Sequence, residues 1–203
     1  MSSKASPDTT ISRIERALSS RAPGRLEAES RAAVCMVLRA EGPESTSVLL
    51  IERTRRPDDP WAGQMAFPGG RLDPGDEDAL SAAFREAREE VGLDLSRAAR
   101  LLGRCDDLRA IARGRPMPLV ISPFVFELMA GDVSFDLQHE EVAGVLWAPF
   151  EEMVSGRVDG TYAVSRPDVG TVNLPCYHVG GKVVWGLTYL MLRNLFRVIE
   201  PGV

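Results

Sequence analysis

Two rhythms of apolar residues run along the chain, one of strands and one of helices. Residues 32–38, Ala-Ala-Val-Cys-Met-Val-Leu, form an unbroken apolar run with valines, which predicts a buried strand. Glu41-Gly42-Pro43 turns the chain, and residues 47–53 return as the hairpin partner. A polar loop over residues 54–64 leads to a short strand at 65–67. Helical spacing marks residues 11–18, where Ile11, Ile14 and Leu18 share a stripe and Ala22-Pro23-Gly24 ends the segment. Residues 1–10 are small and polar and are expected to fray. Helical spacing returns over residues 76–91, with Leu80, Ala83, Phe84, Ala87 and Val91 as the core stripe. Asp76 is the expected cap there, and acidic residues are expected to fill the first turn.

The second half is less regular. Residues 101–108 and Ile111 read as strand with a charged turn, and 113–118 as a basic Pro-Gly loop. Residues 119–128 are an apolar strand interrupted by Pro123, which predicts an edge or a bulge. A strand at 142–147 ends at Pro149, a short helix follows at 150–155, and 157–169 reads as loop. Residues 175–179 and 183–185 predict a hairpin around Gly180-Gly181, and 187–198 a closing amphipathic helix. Strands and helices mix without a βαβ alternation, so the expected class is α+β, a sandwich around a mixed β-sheet. With no internal repeat and no low-complexity linker, the expectation is one domain over residues 1–203.

Composition narrows the partners. The 203 residues are 44% hydrophobic and 26% charged, which suits one sizeable core. A net charge of -5 argues against a nucleic-acid polymer, whose phosphates call for a basic face, yet leaves room for a small anionic ligand. Cys35, Cys105 and Cys176 are odd in number and far apart, with no zinc spacing or disulfide framework. Cys35 and Cys176 lie in apolar runs and are expected as buried thiols in a reducing compartment. No stretch has the length and apolarity of a membrane span, and no signal-peptide pattern opens the chain, so the expected location is cytoplasmic. A homodimer is left open.

Chemistry concentrates in residues 67–93. Glu86, Glu89 and Glu90 put three carboxylates within five positions, and helical spacing stacks Glu86 and Glu90 one turn apart on one face. Their mutual repulsion calls for a cation, and an all-oxygen donor set suits Mg²⁺ or Mn²⁺ rather than zinc. Gly92 stands where a helix would close in a left-handed residue, and Pro68-Gly69-Gly70 makes a turn that lets backbone approach a ligand. The plain alternative is a solvated acidic surface helix.

These residues resemble the Nudix box, G-x5-E-x7-R-E-U-x-E-E-x-G-U, in which U is a bulky aliphatic. Arg85, Glu86, Glu89, Glu90, Gly92 and Leu93 match, and Glu77 stands at the right distance before Arg85. Six residues rather than five separate Gly70 from Glu77, and Ala87 replaces the usual larger aliphatic. The stretch from Leu49-Leu50-Ile51-Glu52-Arg53-Thr54 through Gly63 to Phe67-Pro68-Gly69-Gly70 resembles the additional motif of coenzyme A pyrophosphatases, L-L-T-x-R-S-A-x3-R-x3-G-x3-F-P-G-G. The extra residue before Glu77 and the segment Val184-Trp185-Gly186-Leu187-Thr188 are similar to that branch too. Ile51, Arg55 and Asp59 depart from the motif, and Asp59 replaces an arginine. Such a loss should weaken binding of a polyanion by about 1 kcal/mol or more, with Arg55 or Arg56 on the same loop as candidate replacement.

The resemblance implies an α/β/α sandwich and metal-dependent hydrolysis of a small nucleoside diphosphate-linked substrate. In coenzyme A the products would be adenosine 3′,5′-bisphosphate and 4′-phosphopantetheine. It implies metal ligation by Glu86 and Glu90, with Glu89 assisting and Glu77 at the edge, and a positioning task for Arg85. Glu89, Glu140 and Glu141 are candidate general bases. Arg53, Arg55, Gly69 and Gly70 are the expected substrate contacts. Phe67, Tyr177 and Trp185 are aromatics that could stack on adenine or line a pantetheine channel, with core packing as the plain alternative, and His178 is expected to pack or cap. The competing readings are a Nudix hydrolase for ADP-ribose, a dinucleoside polyphosphate or a nucleoside triphosphate, and a non-hydrolysing nucleotide sensor. The resemblance has a gap from about residue 95 to 135, where little of the branch is recognisable.

Overall fold

Both faces of the central strands are apolar, and the fold covers both. The computed structural model describes residues 9–42, 44–57, 59–112, 114–129, 131, 133–166 and 169–200. β1 (Ser30–Gly42) sends Ala32, Val34, Met36 and Leu38 to one core and Ala33, Cys35 and Val37 to the other. That period-two split is what an extended chain imposes. β2 (Ser45–Arg53) divides likewise, Val48 and Leu50 against Leu49 and Ile51. The first core is closed by α1 (Thr10–Ser19), by α4 (Phe150–Val154) and by α5 (Gly186–Ile199). The second is closed by α2 (Ala79–Val91) and the short α3 (Leu95–Ala98). The result is the expected α+β sandwich around a mixed sheet.

A split in that sheet creates the site. β1 pairs with β2 only through Leu38–Gly42, while its other half pairs in parallel with β7 (Arg115–Leu128). The crossing segment fills the gap: β3 (Met65–Ala66) pairs with Ile51 and Glu52, and β4 (Gly69–Arg71) pairs with Ala32–Val34. Between them, the Cys35 N–H donates to the Pro68 carbonyl at 2.8 Å. β5 (Ala99–Arg104) and β6 (Leu108–Ala112) both pair with β7, and β8 (Val142–Pro149) pairs with β2. A separate three-stranded sheet consists of β9 (Asp159–Arg166), β10 (Gly170–Val179) and β11 (Lys182–Trp185).

Several expectations change. Thr9 is ordered as the N-cap of α1, so the chain is regular sooner than expected, and residues 1–8 lie outside the described ones. α2 begins at Ala79 under Asp78, whose side chain forms a capping box with Ser81, and its first turn holds no acidic residue. Asp76 is not the cap, because Arg85 takes both its oxygens. Leu80 and Phe84 are half-buried at the rim, and Ala82, Ala83, Ala87 and Val91 form the buried centre. Those alanines let the helix sit close enough for the Cys35 Sγ to contact the Ala83 carbonyl at 3.1 Å, and Ala87 is fully buried on the same face. The expected loop at 113–118 is strand from Arg115 onward, with Arg113 outside the described residues. The expected loop at 157–169 contains β9, whose alternating exposure belongs to a ribbon with one wetted face. Pro123 is at neither an edge nor a bulge of β7. It sits where the neighbour changes from β6 to β5, so its missing N–H costs no ladder bond, and its carbonyl accepts from the Cys105 N–H at 3.0 Å. Cys35, Cys105 and Cys176 are all free and buried.

Candidate active site

α2 brings two carboxylates to the mouth of the sheet's split. Glu86 and Glu90 both line a cavity of about 300 Å³, together with Gly69, Gly70, Arg53 and Glu141. The Glu90 side chain is nearly fully buried, and one oxygen accepts from the Gly69 N–H at 2.8 Å. Burial pushes the Glu90 carboxyl up to about 8; the Gly69 N–H and Arg53 pull against this, and Glu86 and Glu141 add to it. Burial likewise raises Glu86, with Arg85 opposing and Glu89 and Glu141 contributing.

The two glycines are required by this closeness. Gly69 has φ of +150°, and a Cβ there would lie 2.2 Å from the Ala33 carbonyl oxygen. A Cβ on Gly70 would lie 2.3 Å from a Glu86 oxygen. At the other end of α2, Gly92 adopts φ of 71° and closes the helix onto the Ala87 and Arg88 carbonyls, as expected.

Arg85 faces away from the cavity and organises its back wall. Its Nε and Nη2 clamp both oxygens of Asp76 at 3.1 and 3.0 Å, and Nη2 also donates to the Arg71 carbonyl. Its Nη1 donates to Glu86 and Glu89, each at 2.9 Å. Hydrogen bonding to Asp76 is the first cause that raises the guanidinium, and the same bond holds Asp76 below its usual range. Asp76 therefore belongs to the site, and sequence spacing gave no sign of it.

The expected acidic residues separate into two groups. Glu86, Glu90 and Glu141 meet at the cavity. Glu89 is half-exposed and held outside by Arg85, Glu77 is exposed and lines no part of the cavity, and the exposed Glu140 contributes its carbonyl to Thr54 Oγ1 at 2.8 Å. The opposite wall is the loop after β2. Arg53 lines the cavity, and its Nε and Nη2 both reach Asp59 Oδ2, at 2.8 and 2.7 Å. The other oxygen of Asp59 accepts from the Trp61 N–H at 2.9 Å. Asp59 thus orients an arginine the motif keeps. Arg55 is exposed outside the cavity against Gly63, and Arg56 pairs with Glu141 at 3.1 Å.

Phe67 lines the cavity, Trp185 lines a neighbouring one, and Tyr177 is fully buried core. His178 is exposed and packs over Gly160. Sequence reading missed Trp61 and Gln64, while Thr188 lies in the C-terminal segment it singled out. Thr188 donates to the Met65 carbonyl at 2.8 Å and joins α5 to the crossing segment.

For a divalent cation the donor set fits in kind: oxygen only, a buried Glu90 and a half-buried Glu86, both raised by burial and Glu90 further by Glu86, and a third carboxylate across the cavity. Among the described residues no three His, Cys, Asp or Glu side chains converge as a closed cage, since Arg85 draws off Glu89 and engages one oxygen of Glu86.

The model of the NUDIX domain matches residues 29–167, which run from before β1 past β9 and include the whole carboxylate wall. The chain belongs to the Nudix family. A Yersinia pestis protein named "Uncharacterized Nudix hydrolase NudL" is 33% identical over 161 residues, covering 78% of this chain and 74% of that protein. Its namesake from Yersinia pseudotuberculosis serotype O:1b gives the same figures. Among solved structures, a MutT/nudix family protein from Enterococcus faecalis has a TM-score of 0.51 and 16% identity, covering 98% of this chain and 76% of that one, and it supports the fold alone. This Nudix chain is a hydrolase. Among its described residues, no helix is long and apolar enough to cross a membrane.

Proposed function

We propose that this Nudix hydrolase cleaves the diphosphate of coenzyme A or its acyl derivatives, releasing adenosine 3′,5′-bisphosphate and 4′-phosphopantetheine, the latter keeping its acyl group when an acyl derivative is cleaved. The carrying observation is that the loop similar to the coenzyme A pyrophosphatase motif forms one wall of the carboxylate cavity, through Arg53, Asp59, Trp61 and Gln64. Residues 1–203 act as one catalytic domain in this reading, because α1 and α5, outside the family match, share the first core with β1 and β2.

Glu86 and Glu90 would hold Mg²⁺ or Mn²⁺, with Glu141 facing them. The bound ion would neutralise diphosphate oxygens and make a water more acidic. Arg53, held in place by Asp59, presents a cation to the diphosphate, and the Gly69-Gly70 backbone leaves room for it. Glu141 is the candidate general base, because it lines the cavity while Glu89 and Glu140 do not. Arg85 positions Glu86 and touches no substrate.

The second reading is hydrolysis of another nucleoside diphosphate derivative such as ADP-ribose, which Asp59 in place of an arginine favours. A product assay separates the two. Purified protein is incubated with CoA, ADP-ribose, NADH and diadenosine polyphosphates, with Mg²⁺ or Mn²⁺ and with chelator. Fastest release of 4′-phosphopantetheine, abolished by chelator, is the expected result. Inert CoA beside cleavage of another diphosphate would overturn it.

A further inference from the structure

The loop after β2 is fastened to the segment that carries Glu141. The Thr54 N–H donates to the Glu141 carbonyl at 2.9 Å, and Thr54 Oγ1 donates to the Glu140 carbonyl at 2.8 Å. The same segment is tied to the end of α2. The Asp136 N–H donates to the Val91 carbonyl at 3.1 Å, and the Gln138 N–H to the Glu90 carbonyl at 3.0 Å. The Glu141 N–H then donates to the Gln138 carbonyl at 2.8 Å and closes a tight turn. The main chain at Glu141 is thereby held by its own turn and by the loop after β2, in a segment anchored on the helix that bears Glu86 and Glu90.

Main-chain bonds leave the torsions of a glutamate side chain free. Arg56 restrains them, because its Nη1 donates to Glu141 Oε1 at 3.1 Å. The pair engages one oxygen of the carboxylate, so it restrains the group without saturating it. Glu141 keeps its place on the cavity wall in this pose, and Arg56 does not line the cavity. Repulsion works against the pose, since the Glu141 charge acts on both Glu86 and Glu90. The Asp59 N–H donates to the Arg56 carbonyl at 3.3 Å, so the two residues stand at the ends of one turn. One end holds the cavity's cation, Arg53, and the other holds its outlying carboxylate. Arg56 falls at a position that the coenzyme A pyrophosphatase motif leaves open, and it was a candidate to replace the arginine lost at Asp59. Its partner in the fold is a carboxylate of the site instead.

We propose that Arg56 is a positioning residue, holding the Glu141 carboxylate at the cavity for proton removal from the attacking water without itself touching the diphosphate. The assignment rests on Glu141 as general base, as read above. Both members of the pair are partly exposed, and ion pairs of that kind add little to stability. The loss of Arg56 should therefore be silent in melting and visible in turnover.

The test measures kcat, KM and melting temperature for the wild type, Arg56→Ala, Arg56→Lys, Glu141→Gln and the double variant Arg56→Ala/Glu141→Gln. The substrate is CoA with Mg²⁺, or ADP-ribose if CoA is inert, so failure of the coenzyme A reading leaves the test intact. Arg56→Ala is expected to lower kcat roughly tenfold with KM within about twofold of wild type. Lysine should restore most of that loss, because the contact is a single charged donor on a single oxygen. Glu141→Gln should lower kcat by at least about 10²-fold, and adding Arg56→Ala to it should cost less than about twofold more. A raised KM at unchanged kcat would place Arg56 on the substrate and overturn the proposal. A raised kcat in Arg56→Ala would mean that the arginine draws the base away, and it would overturn the proposal too. So would a lysine no better than alanine, or a full cost of Arg56→Ala in the Glu141→Gln background. Wild-type kcat in Arg56→Ala beside a crippled Glu141→Gln overturns the role of Arg56 alone. Wild-type kcat in Glu141→Gln removes the general-base reading and the role of Arg56 with it.

Discussion

Glu90 illustrates how one carboxylate can be costly to the fold and still be kept. It is buried, raised to about 8, and offset by one backbone N–H and the nearby Arg53. Replacing it with glutamine removes an ionisable group whose charged form burial disfavours. The expected outcome for Glu90→Gln is a kcat lower by at least about 10²-fold, with a melting temperature equal to or above wild type. Unchanged turnover would remove Glu90 from the chemistry, and retained ligand affinity without turnover in the wild type would indicate a sensor. Asp76 acts at one remove. Its clamp on Arg85 fixes the guanidinium that holds Glu86, so Asp76→Asn should lower kcat by roughly 10- to 100-fold with KM little changed. A change in KM alone would place Asp76 elsewhere in the mechanism. The carboxylate face is legible in the sequence because helical spacing is a local property. Asp76 is not, because its partnership with Arg85 depends on the path of the chain between them.

The crossing segment from β3 to β4 is the element on which the site depends, and its two glycines serve different ends. A methyl group at Gly69 would meet backbone, at the Ala33 carbonyl, which cannot swing aside. One at Gly70 would meet the end of the Glu86 side chain, which can. Gly69→Ala should therefore lose well over about 1 kcal/mol of stability, read as a lowered denaturation midpoint. Gly70→Ala should stay close to wild type in stability and lose activity as Glu86 is displaced. The reverse pattern would contradict this packing. The loop after β2 follows similar logic. Asp59→Ala should raise KM by releasing both Arg53 and Trp61, and Asp59→Arg should not rescue it although it restores the motif's residue. A rescue by Asp59→Arg would mean that the charge matters and the tether does not.

Across the whole molecule, a buried carboxylate outside the site ties distant segments together. Asp107 accepts from the Leu26 N–H at 2.9 Å, from Ser122 Oγ on β7 at 2.8 Å, from Arg31 on β1 and from Arg104 on β5. Burial pushes its carboxyl up, and the Leu26, Arg104 and Ser122 hydrogen bonds outweigh this, leaving it below its ordinary value of 3.8. A group depressed in the folded state contributes its full stability above the unfolded value and loses it as pH falls through the folded one. Stability should therefore decline below about pH 4. Asp107→Ala should cost about 3 kcal/mol at neutral pH and flatten that acid slope, as measured by urea titration across pH. A slope unchanged in the variant would assign acid sensitivity to other groups. The sequence determined whatever is periodic or local: the two-faced strands at 32–38 and 47–53, the α2 carboxylates, the Gly92 stop, the hairpin at Gly180-Gly181 and the α+β class. These follow from a repeat of 2 or 3.6 residues or from a single backbone angle, so neighbours in sequence suffice. Only the tertiary structure decided that Pro123 sits in an interior strand, that Asp59 holds Arg53, that Glu141 and not Glu140 or Glu89 faces the cavity, and that a second cavity opens beside the first. Each of those depends on which strands become neighbours, and that choice is made by burying both faces of one sheet at once.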